Sequence, residues 1–223
     1  QGVFGFVNTN QFFGMDTDPF AVELARVTLM IARKVAHDRL GLTEQELPLD
    51  NLDKNIVQAD ALFTPWPEAD AIIGNPPFLG GKHMRLNLGD GYIDQVFARF
   101  PDVRDSVDFC SYWFRLAHDA LKDDGRAGLV ATNSIRHGKS RRATLDYIKQ
   151  NGGFIGSAVS TQPWSGEANV HVSIVNWSKQ EPDSCRLDDQ EVEVINTSLR
   201  STTDVSEAAS LQVNRGYCFQ GVI

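Results

Sequence analysis

A chain of 223 residues is long enough for one domain with a substantial core, and 42% hydrophobic with 22% charged residues is a globular composition. No apolar run nears the ~18 residues of a membrane span, and no basic-then-apolar leader is read, so no membrane association is expected. The net charge of −8 argues against a protein that coats nucleic acid with a basic surface; three scattered cysteines suggest neither a disulfide framework nor a metal cluster, which fits a reducing cytoplasm and no bound metal.

Residues 1–10 show no period and read as a lead-in loop. Gln11–Met15 reads as a short buried strand that runs into Asp16-Thr17-Asp18-Pro19. Asp18 suits a helix N-cap and Pro19 the first helical position. The helix is expected to run to about Arg39 with Ala21, Leu24, Ala25, Thr28, Ile31, Ala32 and Val35 on one stripe, and Gly41 ends it. Strand, acid, helix is the pattern of the second βα unit of a nucleotide-binding fold, where a carboxylate at the strand tip can accept from both ribose hydroxyls. Asp16 is the candidate, unless it only shares the capping work with Asp18. The polar stretch 42–54 then leads to a third strand, Asn55–Asp60, ending in another acid, and Pro65 and Pro67 break the chain after it.

Asp70–Gly74 is an apolar strand that stops at Asn75-Pro76-Pro77-Phe78. Two prolines cannot donate to a sheet ladder, and each biases its predecessor toward extended geometry, so the turn is stiff. It projects an amide, the free Pro76 carbonyl and an aromatic ring from the carboxyl end of a strand, the edge where open α/β sheets bind ligands. Leu79–Val107 reads as a long glycine-containing loop with one weak helical hint near Ile93–Phe100; loops of that length are usually functional. Lys82, His83 and Arg85 follow the turn closely, placed either for phosphate contact or as solvated loop charges.

Asp108–Lys122 is an amphipathic helix, closed by Asp123-Asp124-Gly125 and followed by a strand over Ala127–Thr132. The basic run Arg136-His137-Gly138-Lys139-Ser140-Arg141-Arg142 leaves that strand's carboxyl end, a position suited equally to phosphate contact and to a solvated helix start. A helix to about Gln150 is ended by Asn151-Gly152-Gly153. Two strand-like runs, Phe154–Ser160 and Val170–Trp177, are joined by a connection that contains Trp164. From Ser178 onward the composition is polar and acidic and reads as a connector. Both ends read as cut, with Phe219–Ile223 strand-like.

The order of these features over residues 11–177 is acidic strand end, second acidic strand end, Asn75-Pro76-Pro77-Phe78, helix–Gly–strand, aromatic-bearing hairpin. It resembles the gamma arrangement of S-adenosylmethionine (AdoMet)-dependent DNA adenine-N6 methyltransferases. The wording Leu79-Gly80-Gly81-Lys82 after the motif, with Trp164-Ser165-Gly166 later, resembles most the methyltransferase part of large single-chain restriction-modification enzymes. The resemblance implies an α/β doubly wound, mostly parallel sheet of the Rossmann-like class I methyltransferase type, ending in an antiparallel hairpin. Residues 1–178 would be a partial catalytic core and 179–223 a connector toward a target-recognition domain.

The implied reaction is methyl transfer from AdoMet to N6 of a flipped adenine in double-stranded DNA. The Asn75 side-chain oxygen and the Pro76 carbonyl would accept from the amine, in the rigid frame of Pro77, and Phe78 would stack on the base. Asp16 would hold the ribose, with Thr17 beside the adenine of the cofactor and Asp60 accepting from its amino group. Phe109 and Trp113 would pack on that adenine, or form core. Trp164 would face the other side of the flipped base, or plug the sheet end. Lys82, Arg136, Lys139, Arg141 and Arg142 would meet DNA phosphates. The departure is that no Gly-x-Gly follows an early strand, so the first central strand and its Gly-rich turn are expected to be missing. The isolated chain is accordingly expected to bind AdoMet weakly and methylate nothing, acting within a larger polypeptide with a recognition domain and a possible nuclease. Ribosomal RNA guanine N2, protein glutamine, and a non-catalytic DNA- or partner-binding piece remain the alternative readings.

Overall fold

The computed structural model describes residues 8–41, 52–103, 107–164 and 170–202. The strand-like end Phe219–Ile223 and most of the lead-in and of the 42–54 connection lie outside the described residues. The chain divides into two compact units between Glu68 and Ala69.

The first unit holds strand β1 (Gly14–Asp16), helix α1 (Pro19–Leu40) and strand β2 (Ile56–Gln58). The strands are parallel, with Gly14 opposite Ile56 and Asp16 opposite Gln58. α1 starts as its local sequence dictates: the Asp18 side chain accepts from the Phe20 N–H at 2.9 Å and Pro19 occupies the first turn. It ends at Gly41, whose φ of 63° is the left-handed conformation that glycine adopts without strain. Val22, Ala25 and Leu29 pack on Leu52 and Ile56. The expected stripe is therefore corrected: Leu24, Ile31 and Val35 are exposed, because two short strands cover only the narrow face centred on Val22. Phe12 and Phe13 are likewise exposed and precede β1, which is shorter and less buried than Gln11–Met15 suggested.

The second unit is a six-stranded mixed sheet, ordered β3 (Ala69–Gly74), β4 (Leu121–Thr132), β6 (His171–Ser178), β5 (Phe154–Pro163), β7 (Cys185–Leu187), β8 (Gln190–Val192). β3 and β4 are parallel, β6 runs antiparallel to both β4 and β5, and β7 is parallel to β5. Three of the five pairings in this sheet are antiparallel, so "mostly parallel" is corrected to mixed. The reason is the β5–β6 hairpin, whose return strand inserts between β4 and β5. Beyond Ser178 the polar sequence supplies β7 and β8, so the sheet extends past the residue where composition placed a connector.

Two helices replace the loop expected over Leu79–Val107: α2 (Gly81–Leu88) and α3 (Asp90–Arg99), hinged at Gly89 with φ 82°. Met84, Ile93 and Val96 bury their side chains, and Arg85 of α2 pairs with Asp90 and Asp94 of α3 at 2.9 and 2.8 Å. α4 (Ser111–Ala120) is shorter than expected, because Leu121 already begins β4. Gly125 makes this possible: a Cβ there would meet the Ala69 and Asp70 carbonyl oxygens at 3.0 Å, where the β3–β4 register shifts. On one side of the sheet Phe114 of α4 stacks on Trp177 of β6 at 5.4 Å. The segment Gly138–Gln150 is helical throughout, with a π-turn over Arg142–Asp146 between its α-helical ends α5 (Gly138–Arg141) and α6 (Tyr147–Gln150).

His118, near the end of α4, is fully buried; its Nε2 is 3.2 Å from the Asn151 carbonyl oxygen and its Nδ1 has no hydrogen-bond partner among the described residues. Burial holds its pKa below the ordinary histidine value. The unfolded chain therefore binds this proton more readily than the folded one, and stability falls as pH drops below about 6.5. Thermal melts of the wild type are expected to lose more stability between about pH 7 and pH 5 than melts of His118→Gln, which keeps a donor for Asn151 but cannot be protonated. Equal slopes would show that protonation of His118 is not coupled to unfolding.

Candidate active site

In the second unit β3, β4 and β5 run in the same direction, so their carboxyl ends share one edge. Asn75-Pro76-Pro77-Phe78 leaves β3 there. Pro76 is buried, Phe78 half-buried and Asn75 exposed, so the prolines anchor the turn while the amide stays accessible. β5 ends at Pro163, and Trp164 follows it, its N–H donating to the Val170 carbonyl oxygen at 2.8 Å. The Phe78 and Trp164 rings meet edge to face, 6.2 Å apart and 79° between planes. Two aromatics 86 positions apart in sequence thus meet at the edge on which Asn75 leaves β3. Residues 165–169 of the same connection lie outside the described residues.

β4 ends at Thr132 on this edge, followed by a short 3-10 turn, Asn133–Arg136, and the basic helix start. Lys139 and Arg142 are exposed and Arg136 half-exposed. Arg141 differs: Asp146 at 3.4 Å and the Ser198 hydroxyl at 3.0 Å hold its guanidinium, so it serves the fold first. Lys82 is exposed in the first turn of α2, four residues beyond Phe78. Phe109 is buried in an aromatic group with Tyr92 and Tyr112, its ring 5.0 Å from that of Trp113. Of this pair only Trp113 is half-exposed.

In the first unit Asp16 and Asp60 end β1 and β2 on a common edge, tied by the Ala59 N–H donating to the Asp16 carbonyl oxygen at 2.9 Å. Asp16 is exposed and its Oδ1 accepts from the Asp18 N–H at 2.8 Å, while Oδ2 has no partner among the described residues. Asp60 Oδ1 caps the next turn through the Leu62 N–H at 2.8 Å. Thr17 is exposed beside Asp16, its carbonyl accepting from Gln58 Nε2 at 3.2 Å. An exposed carboxylate with a free oxygen at a parallel strand end fits a ribose, and a second acid on the same edge fits an adenine amine.

Three polar residues that sequence pattern did not single out join the β4 end: Asp108, Thr132 and Ser134, whose side chains hydrogen-bond one another. Beside them Cys110 is buried, and burial together with the Asp108 charge pushes its thiol up to about 12, so it is no nucleophile at neutral pH. A strand-end hydroxyl and a helix-preceding acid are the only sequence signals for this cluster.

A mixed α/β sheet whose carboxyl edge presents an Asn-Pro-Pro-aromatic turn defines the α/β fold of class I methyltransferases. The family model for the DNA-methyltransferase domain of MmeI matches residues 5–188, and the chain belongs to that family. The type IIL restriction-modification enzyme MmeI, solved in complex with DNA, superposes with a TM-score of 0.74 at 24% identity, covering 89% of this chain and 30% of that one. A protein of Vibrio vulnificus YJ016 described as the modification subunit of a type I restriction enzyme gives a TM-score of 0.51 at 17% identity, covering 78% of this chain and 34% of its own. DNA methyltransferase A of Bacillus subtilis (strain 168) is 24% identical over 183 residues, 76% of this chain and 20% of the relative. The chain spans about a fifth of the Bacillus protein's length.

Proposed function

We propose that this domain transfers the methyl group of AdoMet to N6 of a flipped adenine in double-stranded DNA, in the cytoplasm, within a larger polypeptide that also carries a target-recognition domain. The observation that supports it best is the Asn75-Pro76-Pro77-Phe78 turn on the carboxyl edge of β3 with Trp164 against Phe78. AdoMet supplies an electrophilic methyl group when bound. In the first unit Asp16 Oδ2 would hold the ribose hydroxyls, Asp60 the adenine amine and Thr17 would lie beside its ring; in the second unit Trp113, supported by Phe109 from the core, would offer an aromatic surface for the cofactor. The Asn75 oxygen and the Pro76 carbonyl accept the two hydrogens of the target amine, which turns its lone pair out of conjugation with the ring. That is stabilisation by preorganised acceptors, without removal of a proton before transfer. Lys82, Arg136, Lys139 and Arg142 contact the phosphates flanking the flipped base, and Arg141 holds the helix on which Lys139 and Arg142 sit.

Incubating the full-length protein with labelled AdoMet and DNA, with ribosomal RNA and protein in parallel reactions, tests the reading. Label recovered as N6-methyladenine supports it; label in RNA guanine or in glutamine alone overturns it. The aromatic pair gives a second expectation. Phe78 and Trp164 lie edge to face, so a base sandwiched between them must separate that contact. With 2-aminopurine at the target position, binding is expected to raise its fluorescence, and Trp164→Ala to weaken DNA binding by about 1–3 kcal/mol, the worth of one stacked base. An unchanged signal and affinity in Trp164→Ala would leave this tryptophan as a plug of the sheet end.

A further inference from the structure

Asp108 and the backbone of its neighbour Phe109 gather the segments that surround the catalytic turn. Asp108 is half-buried just before α4, and its Oδ2 accepts from the hydroxyls of both Thr132 and Ser134, which lie 2.8 Å from one another. Its backbone N–H donates to the buried Ser140 Oγ at 3.3 Å, inside the basic helix start. Toward the turn, the Phe109 N–H donates to the Leu79 carbonyl oxygen at 2.9 Å. Gly80 lies beside the carboxylate: a Cβ added there would stand 3.9 Å from Asp108 Oδ1. Among the described residues no lysine or arginine pairs with Asp108, and the hydrogen bonds to its carboxylate come from the two hydroxyls. Hydrogen bonds to a carboxylate are shorter and stronger than neutral ones, so such a cluster resists displacement.

These contacts bind three chain segments at one edge: Leu79-Gly80 directly after Phe78, the end of β4, and the helix that carries Lys139 and Arg142. Serving only as a fold element, Asp108 would affect stability and nothing else. Its neighbour Phe109 holds Leu79 and its own carboxylate holds the end of β4, and among the described residues no other hydrogen bond links Leu79-Gly80 to β4, which gives Asp108 a second effect. We propose that Asp108 is a positioning residue for methyl transfer: through Thr132 and Ser134 it fixes the segment after the catalytic turn against the end of β4, and so sets where Phe78 meets the target base. This rests on the adenine-methylation reading given above.

The test uses the full-length protein with Asp108→Ala, Asp108→Asn and the double variant Thr132→Val/Ser134→Ala. A reacting group displaced by about 1 Å loses roughly 100-fold in rate, so Asp108→Ala is expected to lower kcat by about that factor, with KM for DNA and for AdoMet nearly unchanged. Asp108→Asn keeps one acceptor oxygen and is expected to recover part of the loss. The double variant is expected to match Asp108→Ala. Independently of activity, amide hydrogen exchange over residues 79–88 is expected to rise in Asp108→Ala. A wild-type kcat in Asp108→Ala, or exchange over 79–88 that stays as in the wild type, would overturn the proposal. Where Asp108→Ala fails to fold, Asp108→Asn and the double variant decide by the same two readouts. A wild-type protein that methylates another substrate overturns the adenine reading alone; the kcat ratio on that substrate and the exchange data then decide the role of Asp108.

Discussion

Asn75→Ala in the full-length protein is expected to lower the rate of methyl transfer by two to three orders of magnitude while leaving AdoMet affinity nearly unchanged. An exocyclic amine is a poor nucleophile because its lone pair is delocalised into the ring. An acceptor placed for the transition state, in which that nitrogen becomes pyramidal, is worth about 3 kcal/mol of barrier. The fold does not depend on this side chain: Asn75 is exposed, and the buried Pro76 together with Pro77 sets the turn. The loss therefore arises in kcat, not in the folded fraction. Single-turnover methylation with saturating AdoMet measures it, with thermal melts of both proteins as the control. Near-normal turnover in Asn75→Ala would remove the amide from the mechanism, whatever the turn resembles.

The largest expected effect on stability is that of Arg115→Met. Arg115 is buried in α4; its Nε donates to the Ala143 carbonyl oxygen at 3.0 Å, Nη1 donates to Asp102 at 2.6 Å, and its guanidinium carbon lies 3.9 Å from the Tyr147 ring centroid. These contributions differ in weight. The Asp102 side chain is 61% exposed, so solvent screens that pair and it contributes at most about 1 kcal/mol. Leaving the Ala143 carbonyl unpaired costs about 1–3 kcal/mol, and losing a desolvated cation–π contact about 2. Met fills much of the volume but restores neither. A loss of about 2–4 kcal/mol, or a fall in thermal midpoint of roughly 5–15 °C, is expected for Arg115→Met, against a much smaller change for Asp102→Asn. Equal effects of the two substitutions would show that the ion pair dominates. Tyr147 shares the site: burial, then its hydrogen bond to Asp119 at 2.7 Å, pushes its hydroxyl up to about 12, so the phenol stays neutral beside the guanidinium.

The features legible in the sequence are those set by neighbours a few positions apart. Asp18-Pro19 and Gly41 bound α1 because capping and backbone freedom act within one turn of helix. The two prolines after Asn75 end β3 because they remove donors from the ladder at that point. Asp16 and Asp60 close parallel strands for the same local reason: an acid at a strand tip caps the turn that follows. The family resemblance rested on the order of such local signals, and the fold and the match to residues 5–188 agree with it.

What tertiary structure decided was everything set by partners remote in sequence. α2 and α3 are too short and too rich in glycine at their ends to announce themselves; burial of Met84, Ile93 and Val96 and the Arg85 bridge stabilise them. α4 yields Leu121 to β4 because Gly125 lets the strand approach β3, which helix periodicity cannot register. The inward face of α1 is the one its two-stranded sheet can cover, and the more apolar stripe lies outside it. The β5–β6 hairpin, by inserting its return strand next to β4, carries Trp164 to the edge where Phe78 stands. Likewise Asp108 finds Thr132 and Ser134 only because α4 begins and β4 ends on that edge. Propensity and capping are energies of adjacent residues, whereas these meetings depend on which strands pair, and pairing is settled by the burial of the whole sheet.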